Sequence, residues 1–159
     1  MKSKFFILLV AIITAPILWA TDSIPNNQIW YTSTDGQIVS PNSGGGARFN
    51  VNIVSNTYEN GQGIITFDGD LVWIGQSAFY STNLTTVILP NSLKTLNTTC
   101  FLECMDLQSV TLPMGIDTTI GQGAFATCSS LTSISILRNA AIDSINTKYY
   151  QSPYLGYGR

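Results

Sequence analysis

The feature that most limits what this chain can become is a segment that occurs three times. It runs from Trp73 to Pro90, from Thr95 to Pro113 and from Thr119 to Ile136. Its phenylalanines, Phe79, Phe101 and Phe125, lie 22 and 24 residues apart, and its leucines, Leu84, Leu107 and Leu131, lie 23 and 24 apart. Self-similarity at a period of this size is the signature of stacked repeat architectures. Each unit reads as an apolar residue, a Phe five places on, and then Leu-x-x-Val/Ile-x-Leu/Ile. The last piece alternates apolar and polar residues, which predicts a strand. Pro90 and Pro113 follow it; each removes a backbone donor, so the strands end there. The piece before it, Gly75 to Phe79 in the first unit, predicts a compact turn or one short helical turn.

One unit cannot fold alone. It can bury about five apolar side chains at roughly 1.5–3 kcal/mol each. Ordering its ~23 backbone positions costs about 1–2 kcal/mol per residue. Stacking resolves the deficit, because the strands then form a parallel ladder at about 4.8 Å spacing and equivalent side chains share one core. Phe79, Phe101 and Phe125 would form one internal column, and Val87, Val110 and Ile134 another. The expected architecture is a solenoid with a short parallel β-sheet on one face and turn or short-helical return segments. Residues 63–146 hold three to four units of ~23 residues. Ile64 to Phe67 sits in register before the first unit, and Ile142 and Ile145 begin a fourth. Residues 147–159 read as a tail or an incomplete repeat, which leaves a truncated array as one reading of the chain.

The first twenty residues have another character. Lys2 and Lys4 precede an apolar run from Phe5 to Ala15, followed by Pro16 and a small residue, Ala20. This pattern predicts a signal peptide over 1–20, with an uncleaved anchor as the alternative. The run is shorter than the roughly 20 apolar residues that a spanning helix needs. Removal of the leader leaves five basic against nine acidic residues, a formal charge of −4. No basic patch is available to neutralise phosphates, so nucleic acid is not an expected partner. Membrane contact is expected only through the leader. Residues 21–62 carry Trp30, Tyr31 and Tyr58 between the turn formers Asp35-Gly36, Pro41-Asn42 and Asn60-Gly61. One or two hairpins that cap the first turn of the stack, a β-rich N-terminal cap, is the natural reading.

The third unit, Ile120 to Ile134, reads Ile-Gly-x-x-Ala-Phe-x-x-Cys-Ser-Ser-Leu-Thr-Ser-Ile. It resembles the BspA-like leucine-rich repeats of bacterial surface and secreted proteins of the Bacteroidetes type. Segments 24–38 and 56–70 resemble the lead-in of such proteins. The second unit departs from the pattern, with Asn97 in place of the Gly and Thr99-Cys100 before the Phe. That puts its return turn in question, not the fold. The resemblance implies a leucine-rich-repeat solenoid that is exported and binds host proteins or other cells. It implies no catalytic residue and no cofactor.

The residues that could carry chemistry are few. The chain has no histidine, which removes Ser-His-Asp and Cys-His arrangements. Asp68 and Asp70 form the one close acidic pair, and an Asp-Gly step after a strand reads as a turn before it reads as a glycosidase dyad. Ser43 to Gly46 lacks the Lys-Ser/Thr of a phosphate loop and reads as a surface loop. Cys104 and Cys128 share one repeat position, three after the Phe. They would be a disulfide, a metal pair or, as favoured here, small buried thiols; two thiols are too few for a tetrahedral zinc site. Cys100, the third cysteine, could cross-link copies.

Thr66, Thr86, Ile88, Ser109, Thr111, Ser133 and Ser135 point outward from the expected strands and would form a flat, hydroxyl-rich face. They are the ligand-binding candidates, weighed against a plain solvated sheet face. The expected function is non-enzymatic binding or adhesion by a secreted or cell-surface protein. It would recognise protein or glycan on host or neighbouring cells, with no metal and no cofactor. A self-associating envelope protein is the alternative.

Overall fold

The computed structural model describes residues 23–44, 46–113, 119–138 and 141–145. The expected leader, 1–20, and the tail, 147–159, lie outside the described residues. The architecture is a strand-rich repeat fold with one mixed sheet and one small parallel sheet.

The strands, in chain order, are β1 (Gln28–Ser33), β2 (Ile53–Glu59), β3 (Gln62–Phe67), β4 (Trp73–Ile74), β5 (Leu84–Ile88), β6 (Thr95–Leu96), β7 (Ser109–Leu112), β8 (Thr119–Ile120), β9 (Ser133–Arg138) and β10 (Ala141–Ile145). The large sheet has the order β10-β9-β7-β5-β1-β3-β2, and the small sheet β4-β6-β8. Within the repeats the pairing is parallel. Val87 faces Val110, Val110 faces Ile134, and in the small sheet Ile74 faces Leu96 and Leu96 faces Ile120. Each repeat therefore gives one strand to each sheet.

The return segments between the sheets contain no helix among the described residues; they are runs of tight turns. The cause is a left-handed residue on each side of the Phe. Ser77 and Ser81, Thr99 and Glu103, and Gly123 and Thr127 all have φ between 54° and 66°. Each pair lies two positions before and two after Phe79, Phe101 or Phe125. A residue with positive φ at the third position of a turn makes a type II turn. Hence the Ala78 N–H bonds to the Gly75 carbonyl and that of Thr82 to Phe79. The alternate N–H groups then point along the stack. Ser77, Phe79 and Ser81 donate to the carbonyls of Thr98, Cys100 and Leu102 in the next repeat. Thr99, Phe101 and Glu103 donate onward to Gln122, Ala124 and Ala126. Non-glycine residues in this region cost about 1–2 kcal/mol each, and a third hydrogen-bonded ladder offsets that strain. Despite Asn97, the second unit keeps the same return geometry as its neighbours.

The core consists of columns. Phe79, Phe101 and Phe125 stack with interplanar angles of 3° and 7° and centroids 5.1 and 5.4 Å apart. Leu84, Leu107 and Leu131 form a second buried column, and Ala78, Cys100 and Ala124 a third. Gly121 is required by close approach: a Cβ there would sit 2.4 Å from the backbone of Asn97 and Thr98.

Residues before the first repeat pair antiparallel. β2 and β3 form a hairpin closed by Asn60 and Gly61, both with positive φ, as an Asn-Gly turn requires. The sequence placed Ile64 to Phe67 next to the first repeat strand. Instead β1 lies between, antiparallel to both β3 and β5. Ile142 and Ile145, expected to open a fourth unit, lie on a strand that runs antiparallel to β9. The two ends of the large sheet are thus antiparallel and its middle parallel.

The loop before β2 takes the place of a preceding repeat. The carbonyls of Gln76, Ala78 and Tyr80 are the counterparts of those on Thr98, Cys100 and Leu102. They receive hydrogen bonds from the Arg48 guanidinium, the Asn42 N–H and the Asn42 side-chain amide. Asn42 Nδ2 also reaches the Ser77 carbonyl at 2.9 Å. Phe49 closes the aromatic column, 4.9 Å from Phe67 and 6.0 Å from Phe79.

Candidate binding face

The outward positions of the large sheet form rows that run across the strands. In one row Thr32, Thr86, Ser109 and Ser133 are successive neighbours. In the next, Ile64, Trp30, Ile88, Thr111 and Ser135 are neighbours. Residues between them in sequence, such as Tyr31, Ile65, Val87 and Val110, are fully buried on the other side. The six candidates Thr86, Ile88, Ser109, Thr111, Ser133 and Ser135 are brought together on three adjacent strands. Thr66 shares the face but is separated from them by β1, where it pairs with Gln28.

Trp30 is the residue that sequence reasoning missed. It is half-buried between Ile64 and Ile88, and its indole N–H donates to Gln28 Oε1 at 2.7 Å. The bond ties the ring to its own strand. The alternation of Gln28, Trp30 and Thr32 against buried Ile29 and Tyr31 was visible in the sequence. That β1 inserts beside the first repeat strand was not. Beside the indole the hydroxyls interlock: Thr32 meets the Thr85 hydroxyl and that of Thr86 at 2.7 Å, and Thr111 meets Ser135 at 3.3 Å.

The three thiols lie elsewhere and are inward. All are free and buried. Cys104 donates to the Phe79 carbonyl at 3.0 Å and Cys128 to the Phe101 carbonyl at 3.1 Å. In the first repeat Thr82 takes the same place and donates to Phe79 at 2.9 Å. Each thiol thus reaches back to the Phe carbonyl of the preceding repeat, and the Phe79 carbonyl accepts from both Thr82 and Cys104. The hydrogen bond between the two thiols, with burial, pushes Cys128 up and holds Cys104 lower. Burial, reinforced by Cys104, pushes Cys100 well above the usual thiol range. Cys100 is fully enclosed, which does not suit the cross-linking role considered for it.

Asp68 serves its own loop. Its carboxylate accepts the Asn52 side-chain amide at 2.8 Å and the Asn52 N–H at 2.9 Å, and these bonds hold it below the usual carboxylate range. A shallow cleft of about 300 Å³ lies between the 41–49 loop and the start of β2, lined by Phe49, Val51 and Ile53. Its Arg48 is engaged in closing the first repeat.

A family model described as BspA type leucine rich repeat region (6 copies) matches residues 52–155, about two thirds of the chain. No curated protein and no solved structure matches it.

Proposed function

The chain belongs to the BspA-type leucine-rich-repeat family, and on that premise we propose that it is an exported, non-enzymatic binding module. Domains of this type are commonly interaction and adhesion modules. In this reading residues 1–20 direct export and are removed, and residues 21–62 cap a leucine-rich-repeat solenoid that spans 63–146. The protein acts at the cell surface or after secretion. Its ligand is protein or glycan on a host or neighbouring cell. The binding surface is the outward strand face: Thr86, Ile88, Ser109, Thr111, Ser133 and Ser135, with Thr66 at its margin and Trp30 at its centre.

The observation that supports this most is the position of Trp30. A partly buried tryptophan within a sheet face, flanked by two isoleucines, offers the kind of aromatic anchor that dominates recognition surfaces. The test is adhesion of the labelled mature chain to immobilised cells and matrix. Trp30→Ala should abolish retention while leaving the circular dichroism spectrum of the folded protein unchanged, with some loss in melting midpoint from the lost packing against Ile64 and Ile88. Undiminished retention by a folded Trp30→Ala protein would remove the face from the reading.

Self-association is the second reading, favoured by β2. It is an edge strand, and its Ile53 and Val54 are exposed by 40% and 61%. Exposed apolar edges are templates for pairing with another chain. Concentration-dependent size in sedimentation velocity, abolished by Val54→Lys, would support it over the monomeric module.

A further inference from the structure

The outward face carries no ionisable side chain at any position of β1, β3, β5 and β7, nor at Ser133 and Ser135 of β9. Its residues are Gln28, Trp30, Thr32, Gln62, Ile64, Thr66, Thr86, Ile88, Ser109, Thr111 and the two serines. Charge first enters at the rim, where Glu59 of β2 stands opposite Gln62. The chain as a whole is acidic, with formal charge −2. At these described positions an anionic partner finds no cation, and a cationic one finds no carboxylate inside the Glu59 rim. Steering by charge, the usual source of fast protein–protein encounter, is absent from it.

What the face does offer is an aromatic ring, two branched aliphatic side chains and rows of hydroxyls on adjacent strands. Successive strands stand about 4.8 Å apart, so Thr32, Thr86, Ser109 and Ser133 rise from nearly even backbone intervals, with the Thr32 and Thr86 hydroxyls drawn together at 2.7 Å. Protein hot spots sit in desolvated pockets, whereas the cleft beside Phe49 lies off this face, between the 41–49 loop and β2. A pyranose ring is complementary to such a surface. One of its sides is a patch of C–H groups whose positive edges suit the negative face of an indole. Its rim is a ring of hydroxyls that both donate and accept, as Ser and Thr do.

We propose that the face holds an uncharged linear glycan, laid across the strands, with one sugar ring stacked on Trp30 between Ile64 and Ile88 and its neighbours hydrogen-bonded to the Thr and Ser rows. This rests on the reading of the strand face as the binding surface. Gln28, by holding the indole N–H, keeps the ring in place for stacking.

The test is titration of the mature chain with neutral oligosaccharides, namely β-linked glucose, β-linked N-acetylglucosamine and mannose oligomers, followed by tryptophan fluorescence and calorimetry. Heparin fragments serve as the anionic comparison. At least one neutral series should shift the emission, and Trp73→Phe should keep that response. Trp30→Ala should weaken binding by about tenfold or more. Thr111→Lys, which places a charge on the face without touching the indole, should weaken it too. Affinity should be unchanged at about 1 M NaCl, where the Debye length is about 3 Å. Inert neutral glycans, or heparin binding that salt abolishes, would overturn the glycan assignment. If cells or a protein ligand were still retained in a Trp30-dependent way, the face itself would stand. Glycan binding that survives both Trp30→Ala and Thr111→Lys would overturn the face.

Discussion

The molecule solves one problem, closing a stack of short strands, in two ways on either side of Phe49. From Trp73 onward each residue packs on its own equivalent one repeat away. Phenylalanine meets phenylalanine, Val87 meets Val110, and the thiols of Cys104 and Cys128 each meet the Phe carbonyl of the preceding repeat. From Gln28 to Phe67 the contacts are unlike and specific. Tyr31 lies over Gly63, where a Cβ would come within 2.1 Å of its ring. Its hydroxyl donates to Asn56 Oδ1 at 2.8 Å and accepts the Val39 N–H at 3.1 Å, while Asn56 returns a bond to the Val39 carbonyl. The ladder therefore draws its stability from apolar burial repeated many times, and the antiparallel part draws its register from one polar network that only one alignment satisfies.

The contrast is broken most severely at the middle of the aromatic column. Phe101→Ala removes both stacking partners at once and should cost about 3–5 kcal/mol in urea denaturation. Tyr31→Phe keeps the ring over Gly63 and removes only the hydroxyl, which leaves the Val39 N–H and Asn56 without their partner. It should cost about 1–3 kcal/mol. Equal losses from the two substitutions would mean that the stack is not what carries the ladder.

Next in size is the seam between the regions. Asn42→Ala leaves its backbone bond to Ala78 but strips the Ser77 and Tyr80 carbonyls of their side-chain donor. A loss of about 1–2 kcal/mol is expected, since unmet backbone groups are expensive even when partly hydrated. Hydrogen exchange should rise first in the return segment of the first repeat. Uniform acceleration across all repeats would show instead that the loop supports the whole stack and not its first turn.

How much of this was legible follows the same division. The ladder was readable because its period, its Phe and its terminal Pro recur, so Val87, Val110 and Ile134 could be aligned without any structure. A turn was readable there but the left-handed pairs were not, because serine, threonine and glutamate carry no preference for positive φ and only the stack forces them into that conformation. The place of β1 was not readable either. Trp30 pairs with Ile88 across more than fifty residues, and nothing local in Gln28–Ser33 selects β5 over another edge. That single missing contact concealed the aromatic centre of the face, while its hydroxyl rows, which follow from the repeat, were found.

Cys100 tests whether the small-residue column is interchangeable. Its equivalents are Ala78 and Ala124, so Cys100→Ala should fold with a loss of about 1 kcal/mol. The thiol is raised in the folded state by burial, above an unfolded value near 8.5. Its contribution is therefore complete below about pH 8.5 and is lost as pH rises, by up to about 1.4 kcal/mol per pH unit for this one group. Wild-type stability should fall faster than that of Cys100→Ala between about pH 8.5 and 10. Parallel curves would mean that the thiol reaches water in the folded protein.

The smallest effect separates the two regions by their turns. Thr127 is a β-branched residue held at φ 59°, and it is exposed. Thr127→Gly relieves about 1–2 kcal/mol of left-handed strain and adds about 0.5–1 kcal/mol of unfolded-chain entropy, a net gain of roughly 0.5 kcal/mol. Asn60, at φ 51° in the β2–β3 hairpin, is a residue type that tolerates this region, so Asn60→Gly should gain almost nothing. The difference between the two, read from paired urea midpoints, measures strain that the stack imposes and the hairpin does not. If Thr127→Gly also gains nothing, the third backbone ladder holds its turns without strain, and the serines and threonines at those positions are there for their side chains.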